Sequence, residues 1–363
     1  MNTDLLSQAL VNVSKIHALG KKTVFSIATT AKLETESYLT PIRVCEGFSL
    51  TGCIVFDQQG LLDLLDKIDG KVDIILADSE NLIPLYLNKD NNSPEHRVAS
   101  KNTDGISEIC FKHVSKSEVF GFKPSDLTVN AAWLLISQRL GPLIERKISI
   151  LGAGNIGSKL ALKLAECGAK VQLFRRDSNK GREIISGLNR IKSNHASLNM
   201  KFYSDPLQAS AGADVLIGAS NGHQVVSKAV VDCVAKSCLV IDLGKNNLSR
   251  EAVNSARQRS LEIYRTDITP AMEAHVYEIL KMNEILKYSY GKKYLDFCTI
   301  VGGGFFGDFG DIVVDSIHRP SEIFGVAQGD GLLKNQLTES DTLKIKRLQK
   351  EIGERKTLSA KNS

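Results

Sequence analysis

Residues 147–177 read KISILGAGNIGSKLALKLAECGAKVQLFRRD. A short apolar run at 148–151 enters the turn Gly152-Ala153-Gly154-Asn155-Ile156-Gly157. Ile156, Leu160, Ala161 and Leu164 then recur at helical spacing, Gly168 stops the helix, and a second apolar run begins at Val171. Strand, glycine turn, helix and strand, in that order, give the G-x-G-x-x-G spacing the context of a dinucleotide-binding fingerprint. The three glycines serve different ends. Gly152 permits the tight turn, Gly154 lets the backbone approach a pyrophosphate, and Gly157 lets helix and strand lie close. The free N–H groups and positive dipole end at the helix start would hold the phosphates. The plainer alternative is a glycine turn in an α/β core with no ligand.

The end of the second strand reports on the nucleotide. A carboxylate there accepts the ribose 2′-hydroxyl of NAD, whereas arginine meets the 2′-phosphate of NADP. Here the strand ends Phe174-Arg175-Arg176-Asp177, with Lys180 and Arg182 close behind. The arginine forks suit a phosphate dianion, and they come first, at the strand end, so NADP is the expected cofactor. Asp177 stands near the position of an NAD-selective carboxylate, which keeps NAD open. A solvated basic turn is the alternative that needs no ligand.

At 363 residues the chain is long enough for two domains, or for one with a large extension. Its 42% hydrophobic and 24% charged residues are those of an ordinary soluble globular protein. No apolar run approaches the roughly 18 residues of a membrane span. Residues 1–22, MNTDLLSQALVNVSKIHALGKK, read as an amphipathic helix without a signal-peptide core, so a cytoplasmic protein with no membrane attachment is expected. Cys45, Cys53, Cys110, Cys167, Cys233, Cys238 and Cys298 are scattered with no C-x-x-C pair, so reduced thiols are expected. The histidines show no metal-ligand spacing, and no metal site is expected. Much of the net charge of +5 sits at 338–363, where seven Lys/Arg accompany four Asp/Glu. That segment reads as a solvated helix fraying after Gly353 rather than as a nucleic-acid contact.

Residues 1–122 alternate strand and helix signals, as a small α/β domain does. Strands are expected at 23–29, 48–56 and 72–77, a helix at 61–68 ending at Gly70, and an exposed loop at 88–104. Pro124-Ser125-Asp126 starts a helix in which Ser125 can cap and Asp126 complements the dipole; Gly141-Pro142 ends it. This helix bridges to a second domain at 123–270, with further strands at 214–219, 239–243 and 261–265. Residues 271–363 hold a long helix to about Tyr288, the glycine-rich stretch 301–310, and strands at 311–317 and 322–327 that would return to the first domain. Phe305, Phe306 and Phe309 among those glycines suit either a mobile flap over a cleft or a tight packing turn. The expected fold class is therefore α/β: a Rossmann-type parallel sheet plus a smaller N-terminal α/β domain completed by C-terminal segments.

This order of elements resembles the amino-acid-dehydrogenase-like superfamily, in particular methylene-tetrahydrofolate and methylene-tetrahydromethanopterin dehydrogenases, shikimate dehydrogenase and glutamyl-tRNA reductase. The likeness covers about residues 124–267. It rests on SDLTVNAAWLL at the bridging helix, the glycine loop, FRR at the second strand end, ADVLIGAS, and VIDLGKNN at 240–247, which is similar to VIDVGIN of the folate dehydrogenases. The resemblance implies a nicotinamide nucleotide along the sheet edge and hydride transfer in an interdomain cleft. It also implies that the nicotinamide is flanked by Ala219, Ser220 and Asn221 on one strand end, and by Asp242, Leu243 and Gly244 on the next. The first domain departs from these families. Asn102-Thr103-Asp104-Gly105 resembles the NTDG segment of shikimate dehydrogenase, whose aspartate works with a lysine. Here, though, about twenty residues separate it from the bridging helix, and no N-x-T-x-P-x-K motif precedes it. Nor does this domain hold the Tyr-x-x-x-Lys motif of a folate dehydrogenase with its surroundings. A glutamyl-tRNA reductase would need a nucleophilic cysteine in this domain; Cys45 and Cys53 are available, but Cys53 sits in an apolar strand and reads as inert core.

The function expected is an NADP-dependent oxidoreductase that moves hydride to or from a small metabolite at C=O or C=N in an interdomain cleft. The cofactor carries the chemistry, and the chain positions substrate and handles the proton. Lys101, Asp104 and Lys245 are the candidate proton partners, and each suits the surface equally well. Two readings from other classes stand beside it: a redox-neutral, cyclodeaminase-like enzyme that retains its nucleotide, and a nucleotide-sensing protein without chemistry. The partner expected is a small molecule, with neither nucleic acid nor membrane, and self-association into a homo-oligomer is left open.

Overall fold

In the computed structural model, residues 2–30, 36–85, 103–196, 198–220, 223–244 and 246–361 are described, and the chain divides into the units Met1–Ala274 and His275–Ser363. The first unit contains two sheets. Its opening segment runs α1 (Thr3–His17), β1 (Lys22–Ala28), β2 (Tyr38–Val44), β3 (Phe48–Ile54), α2 (Gln58–Ile68), β4 (Ile74–Asp78), the short antiparallel pair β5 (Leu82–Pro84) and β6 (Thr103–Gly105), α3 (Ile106–His113) and β7 (Glu118–Phe122). The five-stranded sheet has the order β2-β3-β1-β4-β7 and is parallel except for β2 at its edge. β1, β3 and β4 are almost wholly buried, which is why they read as continuous apolar runs. β2 carries Pro41 and a register shift between Thr40 and Arg43, both tolerable only because it is an edge strand. Ala9 and Val13 of α1, Leu61, Leu64 and Leu65 of α2, and Ile106 and Ile109 of α3 pack with Phe25, Ile27, Ile75 and Ala77.

The chain then passes through α4 (Pro124–Leu140) into β8 (Lys147–Leu151), α5 (Asn155–Glu166), β9 (Lys170–Phe174), α6 (Ser178–Ile191), β10 (Lys201–Tyr203), α7 (Pro206–Ser210), β11 (Val215–Gly218), α8 (Lys228–Asp232), β12 (Leu239–Asp242), α9 (Arg250–Gln258) and β13 (Glu262–Arg265). The six strands are all parallel in the order β10-β9-β8-β11-β12-β13. Numbered within this sheet that is 3-2-1-4-5-6, the doubly wound order whose switch point lies between its first and fourth strands, here β8 and β11. Ile148, Ile150, Val171 and Leu173 cluster with α4 and α5 residues on one face. Leu151, Phe174, Leu216 and Val240 join α8 and α9 residues on the other. Leu151 pairs with Gly218, so β8 and β11 end level and release their loops at one edge.

Ser125 does not cap α4 as the sequence suggests. Pro124 takes the first helical position, and the Ser125 N–H instead donates to Glu80 Oε2 at 2.7 Å. A carboxylate from just beyond β4 thus caps the bridging helix, a tertiary substitute for a local cap.

α10 (Thr269–Tyr288) carries the chain into the second unit, where β14 (Lys292–Tyr294), β15 (Thr299–Gly302), β16 (Ile312–Val314) and β17 (Ile323–Val326) form a four-stranded sheet in chain order, followed by α11 (Glu339–Lys361). This corrects the expectation that the C-terminal strands complete the first domain: β16 pairs with β15 and β17, and the first sheet contains only strands from residues 22–122. As far as Ile352, the basic terminal helix is likewise packed rather than wholly solvated, since Leu348 and Ile352 are buried with Cys298, Ile300, Ile312 and Val314. Several glycines of the 301–310 stretch serve close packing. An added Cβ would lie 2.1 Å from the Ser289 carbonyl oxygen at Gly302 and 2.2 Å from the Tyr290 ring at Gly304. Among the described residues, no helix is long and apolar enough to cross a membrane.

Candidate functional site

The turn after β8 is shaped by its glycines. Gly152 has φ +127°, and a Cβ there would stand 2.2 Å from the Ala219 carbonyl oxygen; a Cβ on Gly157 would stand 1.9 Å from the Gly152 oxygen. Both positions must be glycine for the turn, the strand end and the helix to meet. Gly154 differs. Its backbone is ordinary extended chain at φ −92°, ψ −166°, and nothing lies within 4 Å of an added Cβ. It borders a cleft of about 590 Å³ lined by the turn, residues 174–177, Pro206, Ala219, Ser220 and residues 223–225. The cleft opens at the switch point, where an open parallel sheet takes its ligands.

The two arginines are not equivalent. The Arg175 guanidinium donates back to the Ala153 carbonyl and so ties the second strand end to the glycine turn. Its Nε is buried and, among the described residues, has no hydrogen-bond partner. Arg176 is exposed on the cleft. The Asp177 carboxylate caps α6, accepting the Lys180 N–H at 3.0 Å. A dinucleotide fits this set: Gly154 leaves the space a Cβ would fill, and Arg175 Nε is a buried donor awaiting an acceptor beside it.

The strand ends β11 and β12 are joined by Asn247, the last residue of the VIDLGKNN stretch. Asn247 Nδ2 donates to Asp242 Oδ1 at 2.6 Å, and Asn247 Oδ1 accepts from the Ser220 N–H at 2.7 Å. Asp242 is nearly buried and also accepts the Gly244 N–H at 3.3 Å. Gly152, Ala153, Gly154, Arg175, Arg176, Asp177, Ala219 and Ser220 therefore come together on the cleft, while Asp242 and Gly244 stand one strand further on and are not among its lining residues. Asn155 and Ile156 form the first turn of α5 beside it. Lys101, Asn221 and Lys245 lie outside the described residues. Asp104 is exposed in β6 and lines a separate depression of about 150 Å³ with Gln58, Glu108, Lys112 and His113. Pro206, His223, Gln224 and Val225 line the main cleft without any motif to announce them.

The start of α5 also touches the first sheet's segment. Lys159 Nζ donates to Asp126 Oδ1 at 2.6 Å, to Ser125 Oγ at 2.8 Å and to Glu80 Oε1 at 3.4 Å. Burial alone would raise the Glu80 carboxyl, but the Ser125 hydrogen bonds and Lys159 hold it below its ordinary value. Asp78, at the end of β4, is fully buried and raised by desolvation, despite accepting from Asn81 Nδ2 at 2.7 Å and the Glu80 N–H at 2.8 Å. Cys45 is raised by burial and by the Glu273 carboxylate, and burial pushes Cys53 up to about 12. Both shifts oppose the thiolate that a nucleophilic cysteine needs.

Residues 147–246 match the family described as the NAD-dependent glycerol-3-phosphate dehydrogenase N-terminus. This segment is an NAD(P)-binding Rossmann domain. A glycerol-3-phosphate dehydrogenase (NAD(P)+) from Thermoanaerobacter sp. (strain X514) is 28% identical over 103 residues, which span 27% of this chain and 31% of that protein. The chain thus matches under a third of that curated relative's length. Among solved structures, a dipicolinate synthase subunit from Bacillus halodurans is 15% identical over 72% of this chain and 97% of its own, with a TM-score of 0.35. Glutamyl-tRNA reductase from Methanopyrus kandleri is 19% identical over 44% of this chain and 41% of its own, with a TM-score of 0.33. Likeness of that order assigns no reaction to the Rossmann domain's neighbours in the chain.

Proposed function

We propose that the protein is an NADP-dependent oxidoreductase acting on a small metabolite at a C=O or C=N bond. The observation that carries the cofactor preference is the unequal use of residues 175–177. Arg176 is exposed on the cleft, Arg175 presents a buried donor, and Asp177, the residue an NAD site would need, is engaged as a helix cap. Gly154 and the first turn of α5 would hold the pyrophosphate, and Arg176 the 2′-phosphate. The bound nucleotide supplies hydride chemistry. Residues 1–122 would form the substrate domain, 123–270 the nucleotide domain, and 271–363 an accessory segment.

The reaction would take place between the first sheet and the carboxyl edge of the Rossmann sheet, near Ala219, Ser220 and Gly244. Support comes from Lys159, which lies two turns or fewer from the glycine turn and reaches both Glu80, just past β4, and Asp126. The carboxyl end of the first sheet and the start of the nucleotide helix therefore share one junction. Lys101, Asp104 and Lys245 remain the proposed proton partners. Glycerol-3-phosphate is not carried over as the substrate, because the match ends at residue 246, within the nucleotide fold.

The test is NADPH oxidation by the full-length protein against a panel of 2-oxo acids, aldehydes and cyclic imines, with the reverse reaction run on their reduced partners. Saturable turnover with at least one class is expected. Protein that purifies with tightly held nucleotide and turns over nothing in either direction would contradict the oxidoreductase and favour the redox-neutral reading.

A further inference from the structure

One residue outside the nucleotide cleft holds up a whole wall of it. Asn247 is fully buried between the end of β12 and the start of α9. Its amide orientation is forced by its partners. The Asp242 carboxylate can only accept, so Nδ2 faces it at 2.6 Å; the Ser220 N–H can only donate, so Oδ1 faces it at 2.7 Å. Ser220 Oγ also lies 2.7 Å from that Oδ1 and against the His223 carbonyl, so its single proton is shared between two acceptors. The Asn247 carbonyl in turn accepts the Val225 and Val226 N–H groups, both at 2.9 Å. The described residues of the stretch 219–226 are thus pinned on both sides by one residue, by its side chain at Ser220 and by its main chain at Val225. That stretch supplies Ala219, Ser220, His223, Gln224 and Val225 to the cleft. Gly218 makes room for the arrangement, since a Cβ there would lie 2.6 Å from Asn247 Cβ.

We propose that Asn247 is a positioning residue for the nucleotide, setting the wall of the cleft opposite the arginines through its bonds to Ser220, Val225 and Asp242. The proposal rests on the NADP reading of the cleft. Only an amide meets all three demands of the side chain: one donor toward a carboxylate and an acceptor toward an N–H and a hydroxyl. Aspartate would set a second carboxylate within hydrogen-bond distance of Asp242. Such a pair cannot ionise fully and shares a proton at low pH, which restores the missing donor.

The experiment measures NADPH dissociation constants for full-length wild type, Asn247→Asp and Asn247→Ala at pH 6 and pH 8, with circular dichroism and thermal melts of each. Affinities are expressed relative to wild type at the same pH. Asn247→Ala should bind at least tenfold more weakly at both pH values. Asn247→Asp should bind at least tenfold more weakly at pH 8 and recover to within about threefold of wild type at pH 6. If Asn247→Ala fails to fold, the pH dependence of Asn247→Asp decides alone. Folded Asn247→Asp that binds within twofold of wild type at pH 8 would overturn the proposal. So would a variant whose melting temperature shifts with pH while the affinity of the folded protein does not, since Asn247 would then be merely structural. A wild type that binds no NADPH would overturn the nucleotide reading as well, an outcome distinct from variants that match a wild type which does bind.

Discussion

Placing the same side chain at two glycines three residues apart separates folding from binding in this protein. In Gly157→Val, the new Cβ starts 1.9 Å from the Gly152 carbonyl oxygen and must move by about 1.1 Å to reach an allowed contact. The obstacle is backbone, so α5 must lift from the turn. Overpacking of this kind costs roughly 1–3 kcal/mol, which lowers the melting temperature by about 2–12 °C at roughly 2–4 °C per kcal/mol for a unit of this size. In Gly154→Val, the Cβ meets nothing within 4 Å, and the φ and ψ of the position suit a β-branched residue. Its unliganded stability should stay within about 0.5 kcal/mol of wild type. The valine fills the space open to a pyrophosphate, however. NADPH at a hundred times its dissociation constant should stabilise wild type by about 2.7 kcal/mol, or roughly 5–11 °C, and that shift should vanish in Gly154→Val. Thermal melts of the three proteins with and without NADPH give the answer. A Gly154→Val protein that melts early without ligand, or that keeps the ligand shift, would refute the reasoning.

Arg176→Ala should weaken NADPH at least tenfold and leave NADH within about threefold, whereas Arg175→Ala, which frees the Ala153 carbonyl, should weaken both; equal effects of Arg176→Ala on the two nucleotides in a titration would contradict the division of roles. Asp69 accepts the Ser115, Lys116 and Ser117 N–H groups at 3.0, 3.1 and 2.8 Å; burial pulls its carboxyl upward, but these bonds outweigh it and hold the pKa at about 2. A depressed native pKa stabilises above the unfolded value near 3.8 and is lost as pH falls toward 2, so Asp69→Asn should flatten the acid limb of stability between those values and cost about 1–3 kcal/mol at pH 7; an unchanged acid limb in urea melts would count against it. Burial pushes Cys53, Cys110 and Cys238 up to about 12, so a thiol reagent at pH 8 should label exposed Cys167 first and reach those three only after unfolding, as peptide mapping would reveal.

What could be read from the sequence follows the range of the interactions involved. The glycine turn is legible because its demands are local: Gly152, Gly157 and the apolar strands on either side specify one another within about twenty residues. β1, β3 and β4 are legible because a strand buried on both faces is a plain apolar run. β2 is not, because an edge strand with Pro41 and half-exposed side chains lacks any period. The strands β16 and β17 could be seen but not paired, since a strand's pattern names its buried face and not its neighbour. Ser125 looks like a cap from its sequence neighbours, and only the fold brings Glu80, 45 residues earlier, onto the helix start. Arg175 and Arg176 read alike in the chain. Their packing separates them, one turned back on Ala153 and the other left on the cleft. Asn247 closes the VIDLGKNN stretch, yet its role is illegible for the same reason, since Ser220 stands 27 positions away.

The central claim, a nucleotide site in the cleft at the β8–β11 switch point with arginines chosen for a 2′-phosphate, is tested most directly by isothermal titration of the full-length protein with NADPH and with NADH. The account predicts a single site per chain and a preference for NADPH of at least tenfold, about 1.4 kcal/mol. Equal affinities would contradict the role given to Arg176 and return Asp177 to the ribose, and no heat of binding with either nucleotide would contradict the site itself.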